Sequence, residues 1–115
     1  MKPKIVYGGI YWVSFAPSVG HEYQGNRPAV VIQADKQLKQ TNLATIMPLT
    51  SQTGKAHQDD VLVRASKMNN LFTDSVVKVH HIESFDRKRF LKYIGFADTK
   101  ALLAIKKYLK LHFQI

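Results

Sequence analysis

The chain has no cysteine. That excludes a disulfide scaffold, a zinc finger built on thiolates and a cysteine nucleophile together. Acidic side chains are scarce: 8 Asp and Glu stand against 17 Lys and Arg, a net charge of +9. A field of that sign favours phosphate backbones, anionic lipid or an acidic protein, and charge alone does not choose among them. The basic residues are spread along the chain rather than blocked into a tail, which points to a charged working surface. Long apolar runs are missing too. Lys2 and Lys4 precede an uncharged stretch over 5–20 that imitates a signal peptide, but Gly8-Gly9, Ser14 and Pro17 interrupt it. It falls short of the roughly 20 apolar residues that span a bilayer, and no convincing cleavage site closes it. The stretch reads as a strand entering a core, so a cytoplasmic protein without a membrane partner is expected. No G-x-x-x-x-G-K-[ST] loop is present to cradle a nucleotide phosphate.

What remains is an ordinary small domain. Its 115 residues fit a single unit over 1–115, and 45% apolar content is enough for a core. Short β-branched and aromatic runs over 10–15, 29–33, 44–49, 61–63 and 75–79 alternate with turn-rich loops, and residues 93–94 suggest a further short edge strand. Five or six strands at this spacing predict a small barrel or sandwich. Their continuous apolar character predicts strands covered on both faces, as in a closed barrel backed by a helix or a subunit. The period then changes. Asp98 is placed to cap a helix on which Leu102, Ile105, Leu109 and Phe113 share one face, with Lys106, Lys107 and Lys110 on the other. A shorter helical turn is expected between Asp86 and Phe90.

Three loops hold the candidate chemistry: 16–27, 51–60 and 65–74. Gly20 and Gly25 bracket a loop that needs tight or left-handed backbone, and Pro28 sets the entry to the next strand. Arg27, just before that strand, is a permanent cation with five donors. It suits a phosphodiester held bidentately, and equally a loop braced through backbone carbonyls. Thr50 and Ser51 follow a strand ending in Pro48-Leu49, where a hydroxyl either contacts a phosphate or closes a turn. His21 and Glu22 lie in the first loop, and a histidine there can move protons at neutral pH. Of five histidines, His80-His81 is the obvious metal candidate. Neighbours on a strand point to opposite faces, however, so no metal site is expected.

The run Gly9-Ile10-Tyr11-Trp12-Val13-Ser14-Phe15-x-Pro17-x-x-Gly20-His21-Glu22-x-x-Gly25-x-Arg27-Pro28-Ala29-Val30-Val31 resembles the opening signature of the MazF/PemK (Kid) toxins of type II toxin–antitoxin systems. The likeness continues through Met47-Pro48-Leu49-Thr50-Ser51, Asp74-Ser75-Val76-Val77, Asp86-Arg87-Lys88-Arg89 and Ile94-Gly95. It implies an all-β, SH3-like small barrel with a C-terminal α-helix, assembled as a homodimer. The activity implied is sequence-specific cleavage of single-stranded RNA by metal-independent transesterification, with a 2′,3′-cyclic phosphate product and no cofactor. A cognate acidic antitoxin is the implied protein partner. Carried over residue by residue, the catalytic candidates are Arg27, Thr50, His21 and His80, and the RNA-binding candidates are Glu22, Tyr23, Ser51 and Lys78. The chain departs from one branch of the family, where Arg-x-Asp supplies acid and base; Lys78 and His80 stand there instead. That departure keeps two alternatives open: a non-catalytic toxin of the same fold acting on DNA gyrase, and an RNA-binding module that does not cut.

Overall fold

The computed structural model describes residues 4–16, 19–20 and 25–115. Seven strands, β1 (Gly9–Ser14), β2 (Asn26–Val31), β3 (Leu43–Thr50), β4 (Val61–Val63), β5 (Ser75–Val77), β6 (Glu83–Asp86) and β7 (Phe90–Phe96), are joined by a short helix α1 (Asp35–Leu38) and followed by a long one, α2 (Thr99–Phe113). All pairings are antiparallel, in the order β4-β5-β3-β2-β1-β7, with β6 also on β3. The sheet curls into a barrel-like fold, as the strand spacing predicts, and stays open between its two end strands, β4 and β7.

Strand β3 holds the fold together by dividing one of its edges between two partners. Its first half pairs with β6 through Ile46↔Glu83, and its end pairs with β5 through Leu49↔Val77. The changeover falls at Pro48, which has no N–H to give a ladder. Its carbonyl accepts from Lys78 N (2.8 Å), after which the chain leaves the sheet in a 3-10 turn, Val79–His81.

Alternation along the strands builds two cores. Ile10, Val30, Met47 and Leu49 pack beneath Ala101, Ile105 and Tyr108 of α2. Tyr11, Val13, Ala29, Val31 and Ile46 turn the other way, against Phe85 and Phe90. The sheet is thus covered on both faces, and a helix supplies one of the covers. Inside the second core Tyr11 keeps its phenol satisfied: the O–H donates to Lys4 O (2.8 Å) and its oxygen accepts from Val6 N (2.9 Å).

Asp98 caps α2 as expected, its Oδ1 accepting from Ala101 N (2.7 Å), and Asp86 caps the 3-10 turn Arg87–Arg89 through Lys88 N. The buried face of α2 is rotated from the expected one, however. Ala101, Ile105 and Tyr108 are buried, Leu102 and Leu109 half-buried, and Phe113 exposed. The apolar spacing could not distinguish these faces, because Tyr108 has an apolar body and a polar tip. Strand β2 begins earlier than predicted, at Asn26, because Arg27 pairs with Val13. β5 ends earlier, at Val77, and β7 is an edge strand as expected but seven residues long.

Candidate active site

One cleft of about 630 Å³ opens where β2, β3 and β7 meet the 65–74 loop. Antiparallel pairing of Ala29 with Pro48 sets its geometry. Arg27 lies two residues before Ala29 on β2 and Thr50 two after Pro48 on β3, and both line the cleft with Ser51 and Gln52. Thr50 sits at the strand end, where its Oγ1 accepts from Gln52 N (3.2 Å). This leaves its own O–H as a donor. Arg27 is therefore a strand residue with a half-buried side chain, not the loop residue its sequence context suggests. The strand gives it a fixed base.

The facing wall comes from Asn70, Leu71, Phe72 and Thr73. Asn69 builds it: buried, it donates from Nδ2 to Arg64 O (2.7 Å) and accepts at Oδ1 from Ser66 N (2.9 Å) and Leu71 N (3.1 Å). Asn70 adopts positive φ (56°) and donates from Nδ2 to Ile94 O (3.2 Å), while Phe96 N donates to Met68 O (3.0 Å). The loop can lie this close only because Gly95 has no side chain. A Cβ there would come 2.4 Å from Asn69 O.

Three exposed aromatics border this space: Trp12, Tyr93 and Phe72, the last wholly exposed. Lys92 joins them. Sequence reasoning did not single out Trp12, Phe72 or Lys92, and took Tyr93 only as part of a strand. A signal existed for two of them. Trp12 alternates with buried Tyr11 and Val13 and so faces the other side of its strand, and Phe72 is the one aromatic of the 65–74 loop.

His21, Glu22 and Tyr23 lie outside the described residues. Their loop is bracketed as expected, with Gly20 at φ 61° and Gly25 at φ 70°, and Gly25 lines the cleft.

Lys78 and His80 are not among the residues that line this cleft, and their expected place on a strand is corrected. Both were expected on a strand beside the site, but β5 ends at Val77 and the chain turns away. Lys78 forms an ion pair with Asp60, whose carboxylate is buried and also accepts from His57 N (2.8 Å). This pair fastens the 51–60 loop to the end of β5. Burial lowers the pKa of the neighbouring His81, and the Lys78 ammonium lowers it further. His80 stands beyond, with Nε2 3.2 Å from Asp59 Oδ2 and its ring centroid 4.5 Å from that of His57.

The fold and the cleft can be set beside known proteins. The chain is 31% identical over 113 residues to endoribonuclease MazF9 of Mycobacterium tuberculosis, covering 94% of this chain and 95% of that protein. It is 27% identical over 104 residues to endoribonuclease EndoA of Bacillus subtilis, with 90% of each covered. In three dimensions it resembles crystalline MazF from Deinococcus radiodurans with a TM-score of 0.83 and 28% identity, over 96% of this chain and 97% of that one. The family model for the PemK-like, MazF-like toxins of type II toxin–antitoxin systems matches residues 7–113, and the chain belongs to that family.

Proposed function

We propose that this endoribonuclease toxin cleaves single-stranded RNA in the cleft between Arg27 and the Phe72 wall. The observation that carries the reading is the convergence of a strand-held guanidinium, a strand-end hydroxyl and three exposed aromatics on one space. Unpaired bases stack on Trp12, Phe72 and Tyr93, a contact open only to a single strand. Lys92 meets the backbone. The 2′-oxygen loses its proton and attacks the adjacent phosphorus, the bond to the 5′-oxygen breaks, and that oxygen takes up a proton. A 2′,3′-cyclic phosphate and a 5′-hydroxyl result. Arg27 stabilises the charge that grows on the phosphoryl oxygens, since a fixed, always-charged donor is worth most where charge develops. Thr50 orients the same phosphate, with Ser51 in support, and His21 of the adjoining loop transfers the protons. No step calls for a metal or a cofactor.

The partners follow from the charge. A surface of +9 suits a cognate acidic antitoxin whose carboxylates occupy the phosphate positions and block RNA. A homodimer would set two such clefts side by side in the cytoplasm.

Incubating the chain with a long RNA in EDTA tests the reading. Wild type is expected to leave cyclic phosphate ends, and Arg27→Ala to cut about a hundred- to thousand-fold more slowly while still folded. Near-normal cutting by the folded variant removes Arg27 from the mechanism. RNA that is bound but uncut selects the non-cleaving module.

A further inference from the structure

We propose that His57, Asp59 and His80 form a binding site for a transition-metal ion of the zinc class, separate from the RNA cleft. One ligand atom from each lies within 4.8 Å of the other two. Asp59 Oδ2 is already 3.2 Å from His80 Nε2 and 3.6 Å from His57 Nδ1. Bonds of about 2.0–2.1 Å to a tetrahedral ion put ligands about 3.3 Å apart, so two of the three edges are close to that spacing. The third closes by rotation of the exposed His57 ring, which gives up one hydrogen bond from Asp59 N (3.1 Å). Solvent completes the fourth position.

The surroundings orient these ligands. Tyr108 Oη lies 3.4 Å from His80 Nδ1 and 3.0 Å from His112 Nδ1. When the tyrosine accepts from His80 Nδ1–H and donates to His112, the His80 Nε2 lone pair faces a carboxylate oxygen. His57 Nδ1 has one lone pair, which accepts from Asp59 N (3.1 Å) and would turn to the ion when the ring rotates. With the His57 ring turned, two imidazole lone pairs and a carboxylate oxygen would meet at one point, a donor set that suits zinc. A partner holding the far nitrogen of a ligating histidine is a usual feature of metal centres. Lys78 is paired with Asp60, and the Asp59 carboxylate would attract the ion.

The ion would act as a clasp. His57 and Asp59 belong to the loop between β3 and β4, and His80 to the turn after β5, which Tyr108 ties to α2. The same loop begins with Ser51 and Gln52 of the cleft, so metal binding would hold one cleft wall without entering the reaction.

The test uses the full chain, stripped with chelator and dialysed against micromolar zinc, with Co²⁺ as a spectroscopic probe. One ion per chain is expected, together with a rise in Tm on zinc addition and the visible absorption of four-coordinate Co²⁺. His57→Ala, His80→Ala and Asp59→Asn should lose all three signals, whereas His81→Ala should keep them. Tyr108→Phe should weaken binding about tenfold. All ligand positions lie at the surface, so circular dichroism is expected to show intact folds. Zinc uptake that is absent in wild type, or unchanged in the ligand variants, overturns the site. The readout is binding, so it stands apart from whether RNA is cut.

Discussion

Replacing Gly95 by alanine adds one methyl group far from any reacting atom, yet it should damage the cleft. The new Cβ would lie 2.4 Å from Asn69 O, 2.5 Å from Asn69 C and 2.8 Å from Met68 O, all backbone atoms with no flexible end to move. Real Cβ contacts essentially never fall below 3.0 Å, so the loop must retreat by at least 0.6 Å from the first of these. Overpacking of this kind costs about 1–3 kcal/mol. The retreat also stretches Phe96 N to Met68 O and Asn70 Nδ2 to Ile94 O, each bond contributing about 1 kcal/mol. Together the loss is about 3 kcal/mol. For a chain of this size Tm falls about 4 °C per kcal/mol, so a drop of about 12 °C is expected. A domain stable by about 5–15 kcal/mol remains folded at room temperature. In cleavage assays the displaced wall carries Phe72 with it. A stacking contact worth about 1–3 kcal/mol weakens, and kcat/KM should fall about tenfold. Gly54→Ala is the control, since nothing lies within 4 Å of that position and neither quantity should change. A Gly95→Ala protein with wild-type Tm and kinetics would show that the wall does not depend on this close approach.

Thr50→Ala should slow cleavage by about the factor lost in Arg27→Ala, and Thr50→Ser should restore most of it, since serine keeps both the donor and the bond from Gln52 N; equal loss in both variants would assign the role to the methyl group. Cleavage under subsaturating RNA should fall as salt rises, with a log–log slope of about −0.7 per phosphate contact, and a flat profile would argue against a cleft that tracks the backbone. Burial raises the pKa of Tyr11 above its ordinary value of 10.0. Its stabilising contribution is therefore complete below that value and lost as pH rises through the folded one. Tyrosinate absorbance should show this phenol ionising only as the chain unfolds in alkali. Tyr11→Phe, which strands Val6 N–H and Lys4 C=O, should cost about 1–3 kcal/mol and abolish that late step.

The β content, the cover on both faces, the cap at Asp98 and the glycine-bracketed loop were all readable from local pattern, because each depends on residues close in sequence. The meeting of Arg27 and Thr50 on one cleft was suggested by resemblance alone. Its physical basis is the register of β2 on β3, in which Ala29 meets Pro48, and no local pattern encodes that. Lys78 and His80 show the converse. A β-branched run over 75–79 reads as one strand, but a proline on the neighbouring strand ends the ladder early and sends both side chains elsewhere. His57 and Asp59 lie in a polar loop whose fold depends on the Lys78–Asp60 pair, so their meeting with His80 could not be read from spacing. Ile94-Gly95 was visible as a motif, while the reason for the glycine was the backbone of Met68 and Asn69, far upstream.

The two cores share β1, β2 and β3 as a common wall, with consecutive residues committed to opposite sides. Inserting or deleting a single residue in any of these strands would therefore exchange both sets of side chains at once, placing Tyr11 where Ile10 fits and Val30 where Ala29 fits. Such a change has no partial form. Evolution of this molecule is confined to substitution within the wall and to length changes in the segments between strands. Those segments, 51–60 and 65–74 among them, also frame the cleft. Loops of this kind can lengthen or shorten at little thermodynamic cost, so the word of RNA that is cut can drift while the barrel beneath keeps its length.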